Sequence, residues 1–324
     1  MIEILSTGLL NSVQDTGRPG HLAIGVGRGG AMDRFALEAG NALLGNPPGA
    51  AGIEVVHFPF RLRFAADTSF AVTGAACAPA LDDGPPLPPY WASAAKAGQV
   101  LALRLPRAGA RAYVTFAGGI DVPVILGARA TDQKNRFGGL GGQGLSRGDR
   151  LPLLLHNAAA IGGAGFGATS LAALPRPGED VALRVLEAAE TYTFTASSRR
   201  RLTEDGWTLT AEANRMGFRL HGSIPLERDN PVELLSHGIV PGTVQVPPAG
   251  QPMIQMADAN TCGGYPKIAT VIEADYGTLA QAPLGARFHF VWTEWDEARD
   301  ALRQQTTFLS DLRATAALLR AARR

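Results

Sequence analysis

Glycine and proline interrupt this chain too often for long elements to form: 39 Gly and 22 Pro fall among its 324 residues. Glycine weakens both regular structures, and proline lacks the backbone N–H that each needs. What remains between them must be short strands joined by tight turns. The apolar runs at 1–5, 53–56, 62–64, 69–73, 100–105, 112–116, 181–187 and 207–210 have that character and read as strands. Two stretches escape the pattern. Residues 33–44 read as a helix, with Asp33 as its N-cap and Gly45 closing it ahead of Asn46-Pro47-Pro48. From Trp295 onward the residues Trp295, Ala298, Leu302, Leu309, Leu312, Ala316 and Leu319 recur at helical steps, which predicts one long C-terminal helix. The expected fold is mainly β, with a few short helices.

Composition narrows the function. A formal net charge of +1 gives no electrostatic case for nucleic acid or an acidic membrane. Cys77 and Cys262 make neither a disulfide framework nor a zinc spacing, and the six histidines are scattered, so no metal site is expected. The start MIEILSTGLL lacks the basic region and long apolar core of a signal peptide, and the apolar stretch 158–174 is too weak to span a bilayer. A cytoplasmic protein with no membrane partner is expected. G-x-G-x-x-G occurs at 25–30 and again at 139–144, neither time in a βαβ unit, so a dinucleotide site is not inferred. There is no P-loop and no G-x-S-x-G elbow. The three lysines, in SAAKAG, DQKNR and YPKIA, are not in a biotin-attachment context. The length suits two domains, and the Gly/Ala/Pro-rich stretch 158–177 suits a linker between them.

The most informative stretch is 236–288. Residues 244–246 and 253–256 alternate around Pro247-Pro248-Ala249-Gly250 and predict a β-hairpin. The loop Asp258-Ala259-Asn260-Thr261-Cys262-Gly263-Gly264-Tyr265-Pro266 follows, and then a third strand at 268–272. The loop brings a carboxylate, an amide, a hydroxyl and backbone N–H groups to the end of a sheet, which suits a small ligand bearing both donors and acceptors. An ordinary Asx/Gly turn has the same composition.

This stretch resembles the biotin-dependent carboxyltransferase-like family, which includes the C-type subunits of 5-oxoprolinase, KipA proteins and the carboxyltransferase part of urea carboxylase (allophanate hydrolase second-subunit proteins). The family pattern G-x-I-Q-V-P-x-x-G-x-P, then D-x-Q-T-T-G-G-Y-P, is met here with Asn260 for Gln and Cys262 for Thr. Further motifs follow in family order. Val13-Gln14-Asp15-Thr16-Gly17-Arg18-Pro19-Gly20 is similar to the opening signature. Gly30-Ala31-Met32-Asp33, Gly40 to Asn46, Ile53-Glu54, and Phe116-Ala117-Gly118-Gly119-Ile120-Asp121-Val122-Pro123 are family marks. In the stretch 137–149 Gln143 stands where an Arg is common, and in Arg215-Met216-Gly217 and its surroundings Asn214 stands for Asp.

The resemblance implies two tandem cyclophilin-like β-barrel domains: the first over 1–165, a linker over 166–180, the second over 181–293, and a C-terminal helix over 294–324. It implies the C-type component of an ATP-dependent 5-oxoprolinase that opens 5-oxoproline to glutamate and depends on partners, a KipI-like B-type subunit and an A-type subunit. The alternatives are a carboxyltransferase acting on a small amide such as urea with a separate biotinylated carrier, and a KipA-type regulatory binder. In either enzymatic reading the substrate is a small amide or lactam; in the oxoprolinase reading ATP is used by the complex, and no biotin is attached to this chain. Asp258 is then the expected base or N–H acceptor. Lys267 stabilises developing negative charge or is a surface charge beside Pro266. Gln245, Asn260, Thr261 and Tyr265 are expected to bind substrate. Arg215 meets substrate or fixes a loop, and Gln14, Asp15 and Arg18 bind a ligand or pin their turn.

Overall fold

The computed structural model describes residues 1–154, 161, 165–171, 173–230 and 233–322. They form two compact units. One comprises Met1–Arg18, Gly29–Leu174 and Gln305–Arg324, and the other Pro19–Arg28 and Pro175–Gln304. Pro19–Arg28 thus lies with the second unit and Gln305–Arg324 with the first.

The first unit is built from β1 (Ile2–Ser6), β2 (Ser12–Gln14), α1 (Arg34–Leu44), β3 (Gly52–Val55), β4 (Phe60–Phe64), β5 (Thr68–Gly74), β6 (Ala80–Leu81), β7 (Trp91–Ala95), β8 (Val100–Leu103), β9 (Ala112–Phe116), β10 (Arg150–Leu151) and β11 (Phe166–Gly167). Its strands make two open sheets, in the orders β10-β1-β4-β8-β6 and β11-β7-β5-β9-β3-β2. Alternate residues of both, among them Ile4, Phe64 and Leu103 from one and Ile53, Phe70 and Val114 from the other, meet in one apolar core. A closed barrel was expected here; among the described residues the strands fall into two sheets instead. β11, expected within the linker, pairs instead with Trp91 and Ala92 of β7. Of the expected linker at 158–177, residues 158–160, 162–164 and 172 lie outside the described residues.

α1 covers the outer face of the larger sheet, burying Leu37, Leu43 and Leu44 with Ala71 and Tyr113. Asp33 caps it, accepting from the Ala36 N–H at 2.9 Å, and Gly45 ends it in the left-handed conformation. The family marks at 30–33 and 53–54 meet in this region. Glu54 accepts from the Met32 N–H and from the Tyr113 hydroxyl at 2.8 and 2.7 Å. The Gly118-Gly119 turn is internally satisfied: the Gly118 N–H donates to Asn46 Oδ1 and the Gly119 N–H to the Phe116 carbonyl.

The second unit contains β12 (Asp180–Glu187), α2 (Ala196–Glu204), β13 (Trp207–Leu209), β14 (Gly217–His221), β15 (His237–Gly238), β16 (Thr243–Gln245), β17 (Met253–Gln255), β18 (Cys262–Gly263), β19 (Lys267–Val271), α3 (Tyr276–Gln281), β20 (Arg287–Trp292) and the start of α4 (Trp295–Ala321). Seven strands close into a barrel in the order β12-β19-β16-β17-β14-β13-β20. The parallel pair β12–β20 makes the closure, and the other neighbours are antiparallel. The predicted hairpin is β16–β17, with Val244 opposite Ile254 and Gln245 opposite Met253. Among the described residues no helix is long and apolar enough to cross a membrane.

Candidate functional site

Period-two alternation builds the site. Val244, Ile254 and Phe218 are register partners and are buried in the barrel core. Gln245 and Gln255, one position on from Val244 and Ile254, therefore face the other way. Gln245 is covered by the loop carrying β18, which pairs with β15 as a two-stranded ribbon. Under that cover the two amides form a chain. Gln255 Nε2 donates to Gln245 Oε1 at 2.8 Å, and Gln245 Nε2 donates to the Tyr265 carbonyl at 3.1 Å. A Cβ on Gly263 would stand 3.0 Å from Gln245 Nε2, so glycine there lets the ribbon lie directly on the amide.

Lys267 sits opposite Gln245 across the β16–β19 pairing and is 6% exposed, which excludes the surface-charge reading. Its Nζ contacts His237 Nε2. His237 Nε2 also lies 3.1 Å from Glu190 Oε1, and Glu190 Oε2 accepts from the Lys267 backbone N–H at 2.9 Å. His237 Nδ1 faces the Leu235 carbonyl at 3.0 Å. Burial pulls the Lys267 ammonium below its ordinary range, opposed by the negative charge of Glu190. Two nitrogens in contact require that one of them lack a proton toward the other.

Asp258 is placed otherwise than a free base. Its Oδ2 and Oδ1 accept from Arg215 Nε and Nη2 at 2.8 and 3.0 Å, in a forked pair with side chains 9% and 13% exposed. The Asp258 N–H also donates to the Arg215 carbonyl, so the pair clasps the loop to the β13–β14 connection. Asn260 and Tyr265 are exposed and Thr261 is half-buried, with the Thr261 carbonyl accepting from the Ile239 N–H at 3.1 Å. These three lie on the same loop as Gly263, and of them the Tyr265 carbonyl reaches the buried amides.

Gln14, Asp15 and Arg18 come together in the first unit, and all three are buried. Asp15 accepts from the Gly17 and Arg129 N–H groups at 2.7 and 2.5 Å. Arg18 donates to the Ala130 carbonyl at 2.5 Å with its guanidinium 4.7 Å from the Phe137 ring centre, and Gln14 donates to Ser12 and to the Thr131 carbonyl. The predicted cluster exists, and these bonds tie residues 14–18 to 129–131 as a structural pin. Burial raises the Asp15 carboxyl above its ordinary range, against the lowering by the Arg129 and Gly17 N–H groups and by Arg18.

Two site residues escaped sequence reading, His237 and Glu190. His237 stands in the Ser236-His237-Gly238 opening of the informative stretch, but Glu190 is 77 residues from Lys267 and reaches it only through barrel pairing.

Residues 24–292 match the model of the carboxyltransferase domain, subdomain A and B. The chain is 40% identical over 316 residues to the 5-oxoprolinase C subunit of Escherichia coli K12, covering 96% of this chain and 97% of that one. It is 39% identical to the 5-oxoprolinase C subunit of Haemophilus influenzae, covering 97% and 98%. The crystal structure of Kluyveromyces lactis urea carboxylase superposes with a TM-score of 0.85 at 26% identity, covering 96% of this chain and 29% of that much longer one. With five-sixths of its length inside the family match and two full-length relatives near 40% identity, the chain belongs to the carboxyltransferase subdomain A and B family of enzymes.

Proposed function

We propose that this chain is the C-type subunit of an ATP-dependent 5-oxoprolinase complex, opening 5-oxoproline to L-glutamate together with a KipI-like B-type subunit and an A-type subunit. The observation that carries this reading is the end-to-end 40% identity to a 5-oxoprolinase C subunit. The site chemistry fits it. A lactam offers one N–H donor and one carbonyl acceptor, and the Gln245–Gln255 pair has both complementary groups at one place. Hydrolysis needs a base for the attacking water and an acid for the departing ring nitrogen, and Lys267 with His237 and Glu190 supplies a proton store beside those amides. Thr261, Asn260 and Tyr265 line the entry. Asp258 and Arg215 hold the loop in place, and Gln14, Asp15 and Arg18 set the frame of the first unit.

ATP activates the amide oxygen when bound, and the complex holds it without a P-loop in this chain. No lysine of this chain carries biotin. The complex works in the cytoplasm, where ATP is available. We read the two sheets of the first unit as the counterpart of the barrel in the second, giving two tandem cyclophilin-like domains. Family motifs in both halves support that reading.

The test is reconstitution. The purified chain is mixed with its A-type and B-type partners, and glutamate is followed from 5-oxoproline with and without ATP. ATP-dependent glutamate that vanishes when this chain is omitted is the expected result. A complex that forms and yields no glutamate overturns it. The second reading, carboxyl transfer to urea from a separate biotinylated carrier, is favoured by the fit to urea carboxylase and predicts activity in that assay instead.

A further inference from the structure

We propose that Glu190, His237 and Lys267 form a proton relay, in which Lys267 exchanges a proton with the substrate amide, His237 stores it and Glu190 holds its charge. This rests on the lactam-hydrolase reading for the identity of the substrate, and on geometry alone for the relay.

The histidine decides how the three groups divide the proton. Its Nδ1 faces the Leu235 carbonyl at 3.0 Å, an acceptor, so Nδ1 carries a proton in every state. Nε2 is therefore the variable nitrogen. Without a proton it accepts from Lys267 Nζ, which touches it. With a proton it donates to Glu190 Oε1, 3.1 Å away. Both partners converge on one nitrogen, and the choice between them is the position of one proton. Among the described residues Lys267 Nζ has His237 as its hydrogen-bond partner, which leaves the rest of the amine for a ligand. Across the β15–β18 ribbon His237 pairs with Gly263, and the neighbouring titratable residue on that strand, Cys262, lies opposite Gly238.

The transfer balances. Attacking water gives a proton to the Lys267 amine as its oxygen bonds to the activated carbonyl carbon. Nζ, now ammonium, passes a different proton to His237 Nε2. The imidazolium rests against the Glu190 carboxylate, and Lys267 is an amine again. When the C–N bond of the ring breaks, the electron pair goes to nitrogen, and the proton returns through Lys267 to that nitrogen. His237 and Glu190 act through Lys267 and are positioning residues.

Two measurements test the relay. In the reconstituted complex, His237→Gln keeps an N–H donor but cannot store a proton; kcat is expected to fall roughly 100-fold with KM unchanged, the range of general acid–base contributions. Glu190→Gln moves the acid limb of the pH–rate profile down by about one unit, because a neighbouring negative charge no longer favours the protonated relay. His289→Gln, in the exposed pair with Asp180, is the control that leaves turnover unchanged. The second measurement uses the full chain alone. The His237 imidazole is titrated by nitrogen-15 NMR; its midpoint is expected to rise in Lys267→Met, which removes the N–H donor that favours the unprotonated Nε2, and to fall in Glu190→Gln. Wild-type turnover in His237→Gln, or a midpoint that neither variant moves, overturns the relay. A wild-type complex that makes no glutamate overturns the proposed reaction instead, and the NMR titration still decides the relay.

Discussion

At Asp258 both carboxylate oxygens accept from Arg215 in a nearly covered pair, so a substitution there strips a buried guanidinium of its counter-charge. Asp258→Asn is expected to cost about 2 kcal/mol in urea unfolding, the scale of a charge-assisted bond lost from cover. A base would behave differently: turnover would disappear with stability unchanged. Asn214 illustrates the opposite case. Its Oδ1 accepts from the Met216 and Gly217 N–H groups at 2.8 and 3.3 Å, a task an Asp performs equally well. Asn214→Asp should therefore shift stability by less than about 0.5 kcal/mol, the usual range at a surface position. Asp15 makes a pH prediction. Burial raises its folded-state pKa, so the folded state binds its proton more readily than the unfolded chain. The sign follows: the stability of the wild type relative to Asp15→Asn should grow as pH falls from above the raised value toward the ordinary 3.8, and be smallest at neutral pH. Denaturation curves of both proteins across that window check it. At this scale the sequence revealed Lys267, Gln245 and the Asp15–Arg18 cluster through local motifs. It concealed Glu190, because nothing local to residue 190 announces a partner that barrel closure alone delivers.

Helix α1 shows how one element is finished by another. Its last carbonyls point along the negative end of the helix, and Arg320 donates to the Leu43 carbonyl at 2.5 Å while Arg313 donates to that of Asn46 at 2.5 Å. Gly45, at φ +75°, leaves the room: a Cβ there would come within 2.6 Å of Arg320 Nη2. Gly45→Ala is expected to cost at least about 1 kcal/mol, the left-handed penalty alone. Thermal unfolding measures it, and an unchanged midpoint would overturn the left-handed penalty assigned to this position. The elements legible in advance were those with a local signature: α1 with its cap and closing glycine, the β16–β17 hairpin around Pro247-Pro248, and the period of α4. β20 was missed although Phe288 and Phe290 alternate inward between Arg287, His289 and Val291, because a six-residue run with polar outer positions is easily taken for loop. β7 was missed for a related reason, since Ala-Ser-Ala-Ala carries little β propensity and becomes a strand through its neighbour β5. The two-barrel expectation met closure in the second unit only, because closure depends on pairing between distant edges rather than on any residue pattern.

For the whole molecule, the division of α4 between the two units is the feature with the largest thermodynamic consequence. Ala298 and Ala301 pack with Ile272 and Ala274 in the second unit, whereas Phe308, Leu309, Leu312, Ala316 and Leu319 pack with α1 in the first. Truncation after Gln304 removes only the latter group. Leaving α1's apolar cover open and deleting Arg313 and Arg320 should destabilise the first unit by on the order of 5 kcal/mol, from a few partly buried side chains at about 1.5–3 kcal/mol each less what they retain in solvent. The second unit keeps Ala298 and Ala301 and all of Glu190, His237, Gln245 and Lys267. Hydrogen exchange read by mass spectrometry separates the two. Peptides from Arg34–Leu44 and Ala112–Phe116 should lose protection in the truncated chain, while those from Thr243–Gln245 and Lys267–Val271 keep it. Equal loss across both sets would mean that the units unfold as a single cooperative body, and that the C-terminal helix supports the Glu190–His237–Lys267 group as much as the sheet it covers.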